Sequence, residues 1–396
     1  MFKRNVLAVS MTLAALCSAQ AAMADINGGG ATLPQALYQT SGVLTTGFAG
    51  YIGVGSGNGK AAFLNNDYTK FQAGVTNKNV HWAGSDSKLS ATELSTYVTN
   101  KQPTWGKLIQ VPSVGTSVAI PFNKSGAAAV DLSVNELCGV FSGRINDWKD
   151  ISGAGRTGPI TIVYRSESSG TTELFTRFLN AKCTTEAGTF AVTPIFANSY
   201  SLGLTPLVGA VAATGSQGVM TSLSSTAGGV TYMSPDFAAP TLAGLDDATK
   251  VARVGKVVAT NTAGVSPAAA NVSAAINAVP VPATTDRGNP DAWVPVFGPD
   301  NTAGVQPYPT SGYPILGFTN VIFGQCYADA TQTTQVRDFF TKHYGVSGNN
   351  DAAITANAFV PLPNAWKNAI RGSFLTASNA LSIGNTNVCN GIGRPL

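Results

Sequence analysis

The sequence predicts an α/β protein with mostly parallel sheets, divided into two domains. Strand-like runs of β-branched residues alternate with segments whose apolar residues recur at helical spacing, which is typical of parallel strands joined by crossover helices. The chain has 396 residues, more than one domain of the usual ~100–200 residues. Hydrophobic residues make up 44% of it and charged residues only 11%. This composition supplies a large core and excludes wholesale disorder.

Strands and helices are expected to follow one another along the chain. Strand-like runs occupy 79–83, 108–114, 117–121 and 160–164. Helical patterns occupy 173–179, 335–344 and 364–375. An Ala-rich stretch over 266–279 begins with a serine cap and a first-turn proline, which predicts a further helix.

The first 24 residues are predicted to be a secretory signal peptide. The basic pair Lys3-Arg4 precedes an apolar stretch of 12 residues over 6–17, and Ala22-Met23-Ala24 supplies a small-x-small cleavage pattern. A second such triplet, Ala19-Gln20-Ala21, leaves the cleavage position open by three residues. The apolar stretch is shorter than the ~20 residues of a membrane span. We therefore expect cleavage after Ala24 and an exported chain without stable membrane insertion.

Four cysteines follow the signal peptide. They are Cys138, Cys183, Cys326 and Cys389. An even number in an exported chain predicts disulfides, and three pairings are open. The sequential pairing, Cys138 with Cys183 and Cys326 with Cys389, keeps each bridge within one region of the chain. No spacing is Cys-x-x-Cys, which disfavours a zinc site or a thioredoxin-type redox centre.

Charge and histidine content exclude two classes of function. Lys and Arg number 24 against 20 Asp and Glu, without a basic stripe, so nucleic-acid binding has no electrostatic footprint. His81 and His343 are the two histidines, which excludes a multi-histidine metal site. We expect His81 to be structural and His343 to lie on the surface of an amphipathic helix. No metal and no cofactor are expected.

Two glycine-rich turns are candidates for holding an anion. Glycines let the backbone approach a ligand closely and leave its N–H groups accessible. The turn at 28–34 adds the hydroxyl of Thr32, and the turn at 53–60 adds that of Ser56. The alternative for each is a flexible or purely structural turn. The second is not a Walker P-loop, because its glycine spacing is wrong and Ala61 follows Lys60.

The segment 164–172 carries a stronger anion signal. A strand delivers Arg165 to a run of hydroxyls and a glycine that opens a helix. Helix N-termini attract anions through their free N–H groups, and a guanidinium suits oxyanions. Glu167 could orient that guanidinium. The alternative is a plain helix cap made by Ser169.

Asp86, in the turn 84–87, would select among anions by its sign. A carboxylate repels a fully ionised anion such as sulfate, but it accepts a hydrogen bond from one that still carries a proton, such as phosphate. The alternative is a turn aspartate that caps its own backbone.

With these motifs the chain resembles the DING proteins, a branch of the periplasmic phosphate-binding proteins that feed phosphate ABC transporters. The likeness is carried by Asp25-Ile26-Asn27-Gly28 with the glycine-rich turn after it, and by the segments 82–87, 164–172 and 234–240. It covers essentially the whole mature chain. It implies an α/β fold of two lobes joined by a hinge, with the ligand in the cleft between them. Lobe I would comprise residues 25–114 plus 313–396, and lobe II residues 115–312.

The resemblance also implies a ligand set. Carried over to matching positions, the phosphate-binding residues are Thr32, Leu33, Ser56, Asp86, Arg165, Ser169, Gly170 and Thr171, supported by Glu167 as partner of the arginine. Gly57 stands where transporter-type relatives often have a second serine, so no ligand is expected there. The sequential disulfides would fall one in each lobe, which favours that pairing.

The expected function is high-affinity capture of inorganic phosphate by an exported, monomeric protein, periplasmic or secreted, for uptake or scavenging. A phosphate ABC permease is a candidate partner. The main alternative is an enzyme, a low-molecular-weight alkaline phosphatase of the DING type, for which a hydroxyl nucleophile would need a base. Asp86 is the one such group in the implied ligand set. A third alternative is an extracellular adhesion module.

Overall fold

The computed structural model describes residues 26–299 and 305–395. The predicted signal peptide, the cleavage position after Ala24 and Asp25 lie outside these residues. Among the helices of this part of the chain, none is both long and apolar enough to cross a membrane.

The described residues form the following strands and helices. The strands are β1 (Gly28–Gly30), β2 (Ile52–Gly53), β3 (Trp82–Ser85), β4 (Leu108–Ser117), β5 (Ile120–Asn123), β6 (Asp131–Leu132), β7 (Thr161–Arg165), β8 (Val211–Ala213), β9 (Gly229–Val230), β10 (Val251–Val254), β11 (Val296–Gly298), β12 (Val305–Pro307), β13 (Leu316–Gly324) and β14 (Val360–Pro361). The helices are α1 (Gln35–Gln39), α2 (Ser56–Asn65), α3 (Ala91–Asn100), α4 (Gln102–Trp105), α5 (Val134–Ser142), α6 (Gly170–Lys182), α7 (Gly215–Ser225), α8 (Pro235–Ala238), α9 (Ala270–Ala278), α10 (Ala330–His343), α11 (Asp351–Ala356) and α12 (Asn364–Phe374). The predicted alternation of strands and helices is confirmed, with boundaries shifted by a few residues.

The strands form two six-stranded sheets and a separate ribbon of β11 and β12. The first sheet has the order β14-β4-β13-β3-β1-β2, and the second has the order β6-β10-β5-β9-β7-β8. We call the first sheet with its helices lobe I and the second sheet with its helices lobe II.

Both sheets are mixed, so the prediction of mostly parallel sheets is wrong. Parallel neighbours surround β1 and β7, but β13 runs antiparallel to both β3 and β4. The reason lies in the path of the chain. β4 leaves the first sheet at Ser117, and β13 re-enters it at Leu316 directly opposite. A strand that returns beside the one by which the chain left must run in the opposite direction.

Local sequence explains several helix starts. Ser90 and Ser133 each accept a hydrogen bond from the N–H of a glutamate three residues later, and that glutamate bonds back to the serine N–H. These capping boxes satisfy otherwise unpaired donors at the first turns of α3 and α5. Ser169 caps α6 by the serine bond alone, accepting from Thr172 N at 3.3 Å.

Aromatic clusters lie beneath the sheets. In lobe I, Trp82 stacks on Phe323 with ring centroids 5.4 Å apart, and Tyr38 meets its edge at 5.2 Å. In lobe II, Phe175 of α6 stacks on Tyr232 at 4.7 Å. Because Trp82 and Phe175 are fully buried, these clusters fix the strand and helix ends that lead into the cleft.

Part of the middle segment packs against the first sheet. Ile276 of α9 contacts Gly115 of β4, and Trp293 lies 5.1 Å from Phe374 of α12. The Trp366 indole N–H donates to Val279 O at 2.9 Å. We therefore propose the lobe division with 270–293 added to lobe I.

Two disulfides are present. One joins Cys138 of α5 to Cys183 at the end of α6, and the other joins Cys326 after β13 to Cys389. This is the sequential pairing, with one bridge in each lobe. In the chain-entropy model, loops of this length give about 4 kcal/mol of stabilisation per bridge.

Both histidines are buried, so the expectation of a surface position for His343 is wrong. On α10, His343 is four residues from Phe339 and seven from Val336, which places it on the buried apolar face. Its Nε2 lies 2.8 Å from Ser113 Oγ. His81 Nδ1 accepts from Asn27 N at 3.0 Å, as expected of a structural residue.

Protonation of His81 should destabilise the fold. Burial lowers the pKa of His81 from 6.5 to about 3, with a smaller contribution from Arg394. Because the pKa of His81 is lower in the folded than in the unfolded chain, the folded state favours the neutral imidazole. The stability that this preference contributes is complete above pH 6.5 and is lost as the pH falls toward 3. Between pH 7 and 5, we expect the wild type to lose about 2 kcal/mol of unfolding free energy relative to His81→Gln. Urea unfolding of both proteins measures the difference, and parallel pH profiles would contradict it.

Candidate functional site

A cleft forms where parallel strands of the two sheets end. In lobe I the chain leaves β1, β2 and β3 directly before Thr32, Ser56 and Asp86. In lobe II, β7 ends at Arg165 and β8 ends just before Gly215. The carboxyl ends of parallel strands are the usual ligand sites of open α/β sheets. Hydrogen bonds across the cleft join these two sets of strand ends.

Helices α2 and α6 begin against each other. Ser56 is the first residue of α2 and Gly170 the first of α6, and Gly170 N donates to Ser56 Oγ at 3.2 Å. The same oxygen accepts from Asp86 N at 3.1 Å. Since Ser56 Oγ accepts both bonds, its hydroxyl proton is left to donate. Two positively polarised helix ends therefore meet at one point.

Arg165 supplies the positive charge of the cleft. Its side chain is buried, at 2% residue exposure, and its Nη1 donates to Thr32 Oγ1 across the cleft at 2.9 Å. Its Nε donates to Glu167 Oε1 at 2.7 Å, and its Nη2 donates to the same oxygen. Glu167 Oε1 also accepts from Gly215 N at 3.0 Å. Burial alone would raise the pKa of Glu167, but Arg165 and the Gly215 N–H hold it below the usual range.

Asp86 is the acceptor among these donors. Its Oδ2 accepts from Thr171 Oγ1 at 3.2 Å, while its buried Oδ1 has no hydrogen-bond partner in the described part of the chain. Burial raises the pKa of Asp86 to about 6, against the lowering effects of Thr319, Thr171 and Arg165. The Thr319 hydroxyl is near enough to Asp86 to lower its pKa, although the two groups do not meet the geometry of a hydrogen bond. Asp86 therefore offers one carboxylate oxygen to a further proton donor.

Backbone N–H groups complete the donor set. Within residues 26–299 and 305–395, the N–H of Leu33 donates to no protein acceptor, whereas the N–H of Thr171 acts on the Asp86 carboxylate. Ser169 Oγ caps α6 by accepting from Thr172 N, and the hydroxyl keeps its own proton for donation. The cleft therefore combines hydroxyl, amide and guanidinium donors with the unpaired acceptor oxygen Oδ1 of Asp86, in the part of the chain that the structure describes.

The structure brings the predicted segments together. Thr32, Ser56, Asp86, Arg165, Gly170 and Thr171 are joined by hydrogen bonds across the cleft, and Leu33 and Ser169 are their chain neighbours. Their role in phosphate binding stays a prediction. Gly57 abuts Ser168, where a Cβ would lie 2.5 Å from the Ser168 hydroxyl oxygen.

Three residues of the cleft escaped the sequence analysis. Ser216 Oγ lies 2.8 Å from Thr32 Oγ1, and Tyr232 Oη lies 2.7 Å from Thr172 Oγ1 and accepts from Arg165 N at 3.4 Å. Thr319 belongs to the interior of β13. Only Ser216 had a usable signal, because Thr214-Gly215-Ser216 is another turn of hydroxyls and glycine before a helix.

The two lobes and the cleft between their strand ends define the periplasmic-binding-protein class. Residues 24–342 match the family model described as a PBP superfamily domain, and the chain belongs to that superfamily. It is 86% identical to the solved structure of a high-affinity periplasmic phosphate-binding protein (PfluDING) bound with phosphate at pH 8.5, with a TM-score of 0.93 over 94% of this chain and 100% of that one. A crystal structure of a DING protein has 76% identity and a TM-score of 0.92 at the same coverage. Within the superfamily, the chain is a member of the DING proteins.

Relatives of similar sequence carry two different functional names. A phosphate-binding protein from an unknown prokaryotic organism is 77% identical over 94% of this chain and 100% of its own length. Alkaline phosphatase L of Pseudomonas aeruginosa (strain UCBPP-PA14) is 68% identical over 100% of both chains. The names of these relatives therefore point to two functions, phosphate binding and phosphatase activity.

Proposed function

We propose that this protein binds inorganic phosphate with high affinity in the cleft between its lobes. The observation that carries the proposal is the buried Asp86 Oδ1, an unpaired acceptor in a cleft otherwise lined with donors. Phosphate fits that arrangement because it presents several acceptor oxygens and one P–OH donor. The phosphate bound by the PfluDING relative supports the same assignment.

The donors would divide the phosphate oxygens among them. Arg165 provides a charged fork, while the Leu33 N–H and the hydroxyls of Thr32, Ser56 and Ser169 provide uncharged donors. The N–H groups of Gly170 and Thr171, which face Ser56 Oγ and the Asp86 carboxylate, would turn to the anion when it binds. The N-termini of α2 and α6 add their positive ends. Asp86 accepts a hydrogen bond from the P–OH group, and its charge disfavours sulfate, which has no proton to give.

Closure of the lobes would remove water from the bound anion. Arg165 and Gly170 belong to lobe II, whereas Thr32 and Ser56 belong to lobe I, so the complete donor set exists only when the lobes meet. Electrostatic contacts strengthen in such a dry site. We assign the lobes the hinge motion of solute-binding proteins.

Titration calorimetry tests the proposal. Protein unfolded and refolded to strip bound ligand is titrated with phosphate, arsenate and sulfate. We expect a Kd for phosphate below about 1 µM and no measurable heat with sulfate at the same concentrations. Equal affinity for sulfate, or no phosphate binding, would contradict the proposal.

Gly170→Ala should block closure. An added Cβ would lie 2.4 Å from Ser56 Oγ, 2.5 Å from Asp86 Cβ and 2.8 Å from Asp86 Cα, all three in lobe I. Alanine suits the helix itself, so the expected effect is on binding: phosphate affinity lower by about 100-fold. Gly218→Ala in α7, where a Cβ meets nothing within 4 Å, is the matched control. Similar affinities of the two variants would show that the lobes need not approach this closely.

A second candidate function is phosphomonoester hydrolysis. The hydroxyl of Thr171 donates to Asp86 Oδ2 at 3.2 Å, and the pKa of Asp86 is raised to about 6, so the pair has the form of a nucleophile beside a base. Hydrolysis of p-nitrophenyl phosphate by the purified protein tests this. Thr171→Val should abolish an intrinsic activity, whereas a rate unchanged in Thr171→Val and Asp86→Asn would belong to a contaminant.

We further propose that the protein acts as a monomer in the periplasm or outside the cell, with a phosphate ABC permease as a partner. The two disulfides support an oxidising compartment.

A further inference from the structure

Asp236 is a second buried carboxyl group of the protein, outside the donor set described above. It lies in the short helix α8, within the segment 234–240 that carried the family resemblance. Both of its carboxylate oxygens are buried, and neither has a hydrogen-bond partner among the residues that the structure describes. The adjacent Ser234 hydroxyl is buried without a partner as well. An unpaired buried carboxylate is costly, so this group needs an explanation.

Asp236 borders a crevice between the lobes. The crevice has a volume of about 160 Å³. Lobe I contributes Ala36 and the turn 356–358 to its lining, and lobe II contributes Pro235, Ala239 and Leu245 among others. No cationic side chain stands among the described residues that line the crevice, so the closed lobes offer Asp236 no charge partner there.

The charged groups near Asp236 do not compensate it. Helix α7, which packs on α8, contains no titratable residue, and neither do positions 34–36 and 356–358 of lobe I. The turn at 242–246 ends in Asp246, whose Oδ1 accepts from the Ser266 hydroxyl. Asp86, across the cleft, is a like charge. No cation offsets Asp236 within this set of neighbours.

Burial raises the pKa of Asp236 to about 7, and Asp86 adds to the rise, while the Ser234 hydroxyl and the Phe237 N–H lower it. The Ser234 hydroxyl acts on this pKa without forming a hydrogen bond of ordinary geometry. Because lobe I lines one side of the crevice, opening the lobes would bring solvent to Asp236 and move its pKa toward the value of about 3.9 of a solvated aspartate. Closing of the lobes therefore raises the pKa of Asp236, and opening lowers it.

We propose that Asp236 takes up a proton from solvent when the lobes close, so that phosphate binding is coupled to protonation of a second acid beside Asp86. The inference rests on the proposed function, because phosphate is the ligand that closes the lobes. The transfer is a simple proton equilibrium: water or buffer gives the proton, and one carboxylate oxygen of Asp236 receives it. An incoming anion close to Asp86 strengthens the same tendency, since it adds negative charge to the cleft.

Two consequences can be measured. At pH 7, the wild type should take up about half a proton more per phosphate bound than Asp236→Asn. Between pH 6 and 8, its affinity should fall by about tenfold more than that of the variant. The ionisation of phosphate itself affects both proteins alike. Because Asp86 adds to the raised pKa of Asp236, the difference reports Asp236 together with its coupling to Asp86.

Phosphate titrations of the full-length mature protein in buffers of different ionisation enthalpy give the proton count. Asp286→Asn, which alters an exposed aspartate, is the control and should match the wild type. Equal proton counts and parallel pH profiles for wild type and Asp236→Asn would overturn the inference while leaving phosphate binding intact. Absence of phosphate binding by the wild type would overturn the proposed function as well.

A second measurement covers the case in which Asp236→Asn does not fold. The infrared spectrum of the wild type at pH 7 should gain the C=O band of a protonated carboxyl when phosphate is added, and the band should persist in Asp86→Asn. Because Asp86 adds to the raised pKa of Asp236, the band in Asp86→Asn is followed from about pH 7 down to about pH 5. Its absence throughout that range, while phosphate still binds, would assign the proton to Asp86 and overturn the inference.

Discussion

Arg165→Ala is expected to weaken phosphate binding by at least about 2 kcal/mol, or roughly 30-fold in Kd. The substitution removes a buried charge-assisted donor pair from the anion. It also leaves Glu167 without its ion-pair partner, so an unpaired negative charge remains beside the cleft. Both effects act in the same direction. Calorimetric titration with phosphate measures the loss.

Two further variants sharpen that test. Arg177→Ala removes an arginine of α6, the helix that begins at the cleft. Arg177 pairs with Glu173 at 2.8 Å, so its loss should leave the phosphate affinity unchanged. Arg165→Lys keeps the charge but loses the planar fork, so an intermediate affinity is expected. Wild-type affinity in Arg165→Ala would show that phosphate is bound elsewhere.

Asp86→Asn should change the selectivity of the cleft far more than its affinity for phosphate. The asparagine oxygen can still accept from a P–OH group, so phosphate affinity should fall by no more than about tenfold. Sulfate should gain affinity, because the repelling carboxylate is gone and an N–H can face its oxygens. We expect the phosphate-to-sulfate preference to fall by about 100-fold or more.

Measuring both affinities between about pH 5 and 9 tests this selectivity, since the wild type alone carries the titrating group at position 86. Asp247→Asn is the matched control. Asp247 is a turn aspartate that accepts from Thr249 N at 3.0 Å, which is the structural role considered as the alternative for Asp86. If Asp86→Asn rejects sulfate as strongly as the wild type does, discrimination arises from another part of the cleft.

The sequence predicted those parts of the site whose chemistry is local. Arg165 at the end of a strand and Ser169 at the start of α6 are adjacent in the chain, so their anion signal needed no tertiary information. That Thr32, Ser56 and Asp86 face them came from the family resemblance, because only folding brings the two lobes together. Ser216, Tyr232 and Thr319 could not be chosen from sequence, since each acts through a partner on a distant segment.

Two errors have the same origin. The direction of β13 and the burial of His343 both depend on how the last 80 or so residues return to the first sheet. Local patterns predicted the helix over 335–344 correctly but predicted no strand over 316–324. They carried no information on which neighbour the strand meets or which helix face it covers.

The position of β13 also sets the order in which the protein can fold. β3 and β4 are neighbours in the sequence, but β13 lies between them in the sheet. During synthesis from the N-terminus, the edges of β3 and β4 that face β13 have no partner until residues 316–324 are made. The sheet of lobe II, in contrast, is formed by a continuous stretch from β5 to β10 and can assemble earlier. Lobe I therefore stays incomplete through most of synthesis. Insertion of a strand from so far along the chain is expected to slow folding, because the entropy cost of ordering the long intervening loop precedes the contacts that the strand makes.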